Sequence, residues 1–184
     1  MWSGVSVVTP AASLPVTVAE VKARTKIDTA DDDADLTKII AEVVALLENA
    51  NGIALMQQAW RLKRNFSISP VDLPGWPVKS VTSVKYLDAD EVEQTASTSL
   101  YRVITDISPA KIALRKGLSW PTVGPFEGAF YVDYVVGEAD AANIKEDIIE
   151  RVLLLVTKRY EDREYVFTDH DLIMVNHRQA WAAA

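Results

Sequence analysis

No cysteine occurs among the 184 residues, which excludes disulfides, thiolate metal sites and cysteine nucleophiles together. Histidine is nearly absent: His170 and His177 both lie close to the C-terminus, so no imidazole base falls within the expected core. The seven glycines are scattered and never form the loops that cradle dinucleotides or nucleoside phosphates. Long hydrophobic runs are also missing. Val152–Val156 is bracketed by charge and far shorter than the roughly 20 residues that cross a bilayer. Met1–Pro10 has neither a basic start nor a long apolar stretch, so no signal peptide is visible. Positive charge is in deficit: 19 basic against 26 acidic residues leave a net charge of −7. A protein that grips DNA phosphates is normally basic. These absences predict a soluble acidic protein made inside the cell, formed of one domain or one domain with an embedded subdomain.

What is present is a change of periodicity along the chain. Thr17-Val18-Ala19-Glu20 is a capping-box pattern, which predicts a short helix over Val18–Lys26. An acidic turn over Asp28–Asp35 leads into a second helix, where Leu36, Ile39, Ile40, Val43, Leu46, Leu47 and Ala50 form one stripe. Asn51-Gly52 supplies left-handed residues to stop it. From Gln57 the period becomes two: Trp60, Leu62, Phe66 and Ile68 alternate with polar residues. Further strands are expected over Val78–Leu87 (Thr82, Val84 and Tyr86 on one face), Tyr101–Thr105, Lys111–Arg115 and Ala129–Val136. The last is apolar on both faces and is placed centrally. Short connections favour antiparallel pairing in a small sheet or sandwich. A third helix is expected from Asn143, capped with Glu146 three residues on, and its nearly all-apolar middle predicts burial on several sides. The fold class is therefore α+β: three main helices forming a small bundle, with an antiparallel β-rich subdomain inserted between its halves. The expected organisation is an N-terminal arm (1–16), a helical core (17–56 and 143–164), the inserted β subdomain (57–137) and a C-terminal tail (165–184).

Several constellations carry a possible chemistry, each with a plainer reading beside it. Asp31, Asp33, Asp35 and Glu42 match positions of a calcium loop, but the glycine that the loop's sharp turn requires is Leu36. Acidic residues at a helix N-terminus explain them better. Gly117-Leu118-Ser119-Trp120-Pro121 partly matches a nucleophile elbow, but Pro121 replaces the second glycine and no helix follows. His170 and His177 are too widely spaced for a metal pair. Arg61, Lys63 and Arg64 make a small basic strand face beside Trp60, read as ordinary surface charge. No catalytic, metal or cofactor site is expected. The tail is the oddity, because a free terminus is normally polar, yet it carries Tyr165, Val166, Phe167, Leu172, Ile173, Met174, Val175 and Trp181. Such a segment either folds back onto its own core or docks on another subunit, with Trp181 and Met174 as anchors.

The order of short motifs resembles the phage head–tail connector (adaptor) family of long-tailed phages, prophages and gene transfer agents. Leu14–Ala23, Asn51–Leu55, Gln58–Leu62, Leu73-Pro74 and Pro77–Asp88 carry the first part of the likeness. Tyr101–Val103, Gly117–Pro121, Tyr131–Tyr134 and Ile148–Glu164 carry the rest. Departures occur at Gly137–Asp140, Asn143-Ile144 and Asn51–Ile53, where the family often has other turns. The resemblance implies a non-enzymatic assembly protein: a ring, usually of twelve copies, in the neck of a virion or phage-like particle assembled in the bacterial cytoplasm. Its implied partners are a portal protein, a tail-side connector or stopper, and further copies of itself, with DNA passing through the lumen without specific binding. Isolated subunits of such rings can be monomeric. On this reading Tyr165, Phe167, Leu172, Ile173, Met174, Val175 and Trp181 bind the portal. The competing reading is a ligand- or carbohydrate-binding module, which requires at least two of Trp60, Trp76 and Trp120 in one concave apolar pocket.

Overall fold

The computed structural model describes residues 4–65 and 69–173. Its first helix, α1 (Val18–Thr25), starts at the expected capping box: the Glu20 N–H donates to the Thr17 hydroxyl at 3.2 Å, and the Thr17 N–H donates to the Glu20 carboxylate at 2.6 Å. Helix α2 (Asp33–Asn51) follows the acidic turn and ends at Gly52, which takes the left-handed conformation with φ 63° while Asn51 stays helical. Helix α3 (Glu146–Glu161) begins later than expected. Asn143 ends a separate 3₁₀ turn over Ala141–Asn143, and that turn is capped by Asp140, whose carboxylate accepts from the Ala142 N–H. Asn143 therefore does not cap α3, whose first turn instead carries Glu146 and Asp147 at the positive end of the helix dipole. A last short helix, α4 (Asp169–Leu172), lies in the tail.

The described residues also contain eight strands, one ahead of α1 and seven between α2 and α3, and every named pairing is antiparallel. A five-stranded sheet runs β1 (Val5–Thr9), β2 (Gln58–Arg64), β8 (Phe130–Val136), β4 (Val78–Leu87), β5 (Glu93–Thr95). A three-stranded sheet runs β3 (Val71–Leu73), β7 (Ala110–Leu114), β6 (Tyr101–Ile104). The apolar strand β8 is central. Alternation gave no warning of β3 and β5, of three residues each. The segment read as an arm contains β1, an edge strand paired with β2. The strand expected to run to Ile68 ends at Arg64, and Phe66 and Ile68 lie outside the described residues. In β4 a register shift between Val81 and Ser83 breaks strict alternation, so Val81 and Val84 face β8 opposite Tyr134 and Val132. Thr82 is exposed and does not share their face, a consequence of the extra residue that a bulge inserts.

Two clusters of buried side chains result. One joins α1, α2, α3 and the 53–56 segment through Leu36, Ile40, Leu47, Ile148, Val152 and Leu155. The other fills the space between the sheets with Trp60, Leu62, Leu73, Ile112, Phe130 and Tyr134. Helix α3 is less enclosed than its sequence suggests, because Leu154 remains over a third exposed. The seam between the clusters is made of backbone: Ala54 N–H donates to the Trp76 carbonyl, Gln57 N–H to the Glu138 carbonyl and Glu138 N–H to the Leu55 carbonyl. Gly137 sits there at φ 86°, where an added Cβ would collide with the Met56 carbonyl, so glycine is required.

Candidate assembly surface

After α3 the chain reverses at Asp162 and returns along the helical cluster. Thr168 caps α4 in a second box. The Asp171 carboxylate, only 7% exposed, is the hub of the segment. It accepts from Lys158 Nζ at 3.0 Å, the Tyr165 hydroxyl at 2.9 Å, the Thr168 N–H at 3.1 Å and the Thr168 hydroxyl at 2.8 Å. These donors, Thr168 foremost and Lys158 after it, hold the Asp171 carboxyl well below the usual carboxylate range. Asp171 in turn raises the Lys158 ammonium, with help from the Tyr165 hydroxyl. Backbone carbonyls of the tail are held as well. Arg151 donates to those of His170 (2.7 Å) and Asp171 (3.0 Å), Arg159 to that of Tyr165 (2.6 Å) and the Asn51 amide to that of Leu172 (2.8 Å).

Tyr165, Phe167 and Leu172 thus lie half-buried on the chain's own helices. Tyr165 and Phe167 meet edge to face at 5.4 Å, and Arg159 stacks on Phe167. Ile173 is 49% exposed and Val166 80%. Met174, Val175, Trp181 and His177 lie outside the described residues. Alternation and hydropathy single out the apolar half of this surface and miss Arg151, Lys158, Arg159 and Asn51, which hold it. The Thr168–Asp171 spacing, a capping-box pattern, is the one signal in the sequence that pointed to the clasp.

A second exposed surface is β1, uncharged from Val5 to Thr9, with Val7 and Val8 both 53% exposed. A long apolar edge strand without a charge or proline is usually covered or guarded. Val103, Ile107 and Leu118 add exposed apolar side chains on and beside the three-stranded sheet.

Most of the remaining acidic and basic candidates are engaged in holding the fold. Asp33 pairs with Lys22 at 2.7 Å, Asp35 with Arg163 at 3.3 Å and Glu42 with Arg159 at 2.9 Å, while Asp32 accepts from the Tyr160 hydroxyl. Helix α2 and the residue that precedes it are therefore tied to α1, to α3 and to the segment just after α3. Arg61 donates twice to Asp133, at 2.6 and 2.8 Å, and lies over the Tyr131 ring; Asp133 raises its pKa further. Tyr131 also donates to Glu93, and burial together with that carboxylate pushes its hydroxyl up to about 12. Lys63 is exposed and Arg64 half-buried. Ser119 is exposed in an irregular stretch, and His170 contributes its backbone carbonyl to Arg151.

Among the described residues, Trp60, Trp76 and Trp120 are engaged in packing within the two clusters. Trp60 packs on Tyr134 and Trp120 on Phe130 and Tyr101 within the sheet cluster, whereas Trp76 belongs to the helical cluster. Two open grooves, of about 500 and 340 Å³, lie beneath the 9–18 segment, lined by Ala12, Ser13, Met56 and Gln58 among others. Neither is lined by a tryptophan. Glu48 reaches the larger one, and its carboxylate accepts from the Leu55 N–H at 2.7 Å and from the Gln58 amide, which accepts in turn from Trp60 Nε1. Burial raises the Glu48 carboxyl despite these donors.

No family model and no curated protein matches the chain. Solved structures do. A chain in the neck of a native GTA particle, computed with C12 symmetry, matches with TM-score 0.73 and 24% identity over 97% of this chain and 92% of that one. A chain in the neck of an empty GTA particle, computed with C6 symmetry, gives 0.75 and 24% over 97% and 93%. A chain in the virion of a native gene transfer agent particle gives 0.73 and 22% over the same shares. The arrangement of three main helices beside two antiparallel sheets is thus the fold of a gene transfer agent neck chain.

Proposed function

We propose that this chain is a structural component of a phage or phage-like particle, a head–tail connector whose copies form a ring, twelve when assembled, between the portal and the tail. The observation that carries this reading is the fold likeness over 97% of the chain to chains of symmetric necks. Cyclic assembly needs heterologous contacts, two different surfaces of one chain that meet around a closing ring. The uncharged edge of β1 and the apolar side chains beside the three-stranded sheet provide such distinct surfaces. The tail from Tyr165 onward, including Met174, Val175 and Trp181, is the portal-docking segment, and a tail-side connector or stopper engages the opposite end. The net charge of −7 suits a conduit, since basic walls would hold passing DNA by its phosphates. The role is mechanical and involves no bond making or breaking, and the location is the particle neck after assembly in the bacterial cytoplasm.

The test is genetic and visual. Particles made without this chain should yield filled heads and free tails that do not join, with joining restored by the chain in trans. Normal joining in its absence, seen by electron microscopy, sinks the proposal.

A further inference from the structure

We propose that Tyr165–Ile173 is a latch: in the free subunit the Asp171 clasp holds the start of the docking tail on the chain's own α2 and α3, and the portal takes the tail by exchange of those contacts. This rests on the head–tail reading and adds a control step to it.

The contacts that hold the segment suit exchange. Arg151, Arg159 and Asn51 grip backbone carbonyls, a mode of binding that any extended chain can replace. The one side chain that the clasp encloses is Asp171, held by Lys158, Tyr165 and Thr168. Apolar anchoring is slight: Phe167 and Leu172 are half-buried, while Val166 and Ile173 point outward. Departure of such a segment opens no closed cavity in the core, unlike removal of a buried aliphatic side chain. Its outward apolar surface is unspent in the clasped state and is offered to a partner. Release also frees Arg151 and Lys158 on α3, a cationic pair on an acidic chain, for an acidic or carbonyl-rich partner surface. A partner that binds only the released form must overcome the clasped population, so its apparent affinity reports the latch directly.

Two variants of the full chain test this against purified portal rings. Asp171→Asn keeps the side-chain shape and removes the charge. It should speed amide exchange over 168–173 by about tenfold while α2 and α3 stay protected, and should tighten portal binding roughly three- to tenfold. The absence of native cysteine allows the opposite experiment: Lys158→Cys with Asp171→Cys, joined by a cleavable bismaleimide, fixes the tail in place. The bridged chain should bind at least about tenfold more weakly, and cleavage should restore binding. A bridged chain that binds like the wild type overturns the latch, as does Asp171→Asn with faster exchange and unchanged or weaker affinity; in both cases the head–tail reading survives. If no form binds, wild type included, that reading falls and the latch with it.

Discussion

The helical cluster and the sheet cluster are closed in different ways. The sheet cluster is drawn from one continuous stretch, mainly Ala54 to Val136, and its larger members are aromatic: Trp60, Tyr101, Phe130 and Tyr134. The helical cluster is mostly aliphatic and is assembled from two ends of the chain, residues 16–56 and 144–156, with Trp76 as the one member from between the strands. Its rim is tied across long sequence distances, Arg24 to Glu150, Glu42 to Arg159 and Asp32 to Tyr160. The helical cluster is therefore closed by contacts between segments that the whole sheet region separates in sequence. The backbone seam at 54–57 and 137–138 links the two halves.

Deep truncations should break this comparison hardest. Phe130→Ala in the sheet cluster is expected to cost about 3–5 kcal/mol and Leu155→Ala in the helical cluster about 2–5 kcal/mol, since both side chains are essentially inaccessible. If the seam couples the halves, each variant lowers a single transition in urea. Fluorescence of a chain that keeps Trp60 and Trp120 and carries Phe at its three other tryptophans should then share its midpoint with far-ultraviolet circular dichroism, to which the helices contribute most. Separate midpoints would show that the halves unfold independently.

The seam itself can be isolated with two glycines. Gly137 (φ 86°) and Gly117 (φ 81°) share a left-handed backbone, but an added Cβ meets the Met56 carbonyl at the first and nothing within 4 Å at the second. Gly117→Ala should cost only the conformational preference, about 1–2 kcal/mol. Gly137→Ala should cost more, and the difference between the two denaturation free energies measures the closeness of the seam. Equal losses would mean that the seam backbone yields freely.

The same contrast governs what the sequence disclosed. Leu36, Ile39, Ile40, Val43 and Leu47 are spaced by the helical repeat, a local property that any α-helix with one buried face must show. The Thr17 box and the central place of Val132 and Tyr134 were legible for the same reason. Strands β3 and β5 were not, because three residues carry too little alternation to register. Thr82 was assigned to the wrong face because a bulge is a property of two strands together. Of the candidate surface, the apolar tail residues stood out by hydropathy. The cations that hold them lie on α3, and only the fold brings Arg151 and Lys158 to Asp171.

Acid and alkali should act on the two sites in opposite senses. The Asp171 carboxyl is lowered by Thr168 and Lys158, while Arg151 holds the backbone carbonyls of His170 and Asp171. Its contribution is complete above the ordinary aspartate range and is lost as pH falls through its depressed folded value. Protection over 168–173, taken relative to the intrinsic exchange rate at each pH, should therefore hold from neutrality down through mild acid and fall only in strong acid. Glu48 is raised by burial, so its ionisation weakens the fold as pH climbs from the ordinary glutamate value through the raised one. Glu48→Gln should be more stable than the wild type at neutral pH, with the gap vanishing in acid. A gap that widens in acid would reverse the sign and refute the role assigned to burial.

The smallest effects are expected at the rims, where they also discriminate most finely. Arg24–Glu150 joins two well-exposed side chains across the helical cluster, whereas Arg61–Asp133 is less exposed, bidentate and stacked on Tyr131. Exposed pairs contribute about 0.2–1 kcal/mol, and a fixed fork with a ring beneath it belongs at the upper end. Arg24→Ala should thus move the melting temperature barely at all and lose its small effect in high salt. Arg61→Ala should lower it measurably and keep part of the loss in salt, because the stacked contact on Tyr131 is not screened. If Arg24→Ala proved the more damaging, the long-range rim would be holding the helical halves together, and burial of Leu155 and its neighbours would be the lesser part.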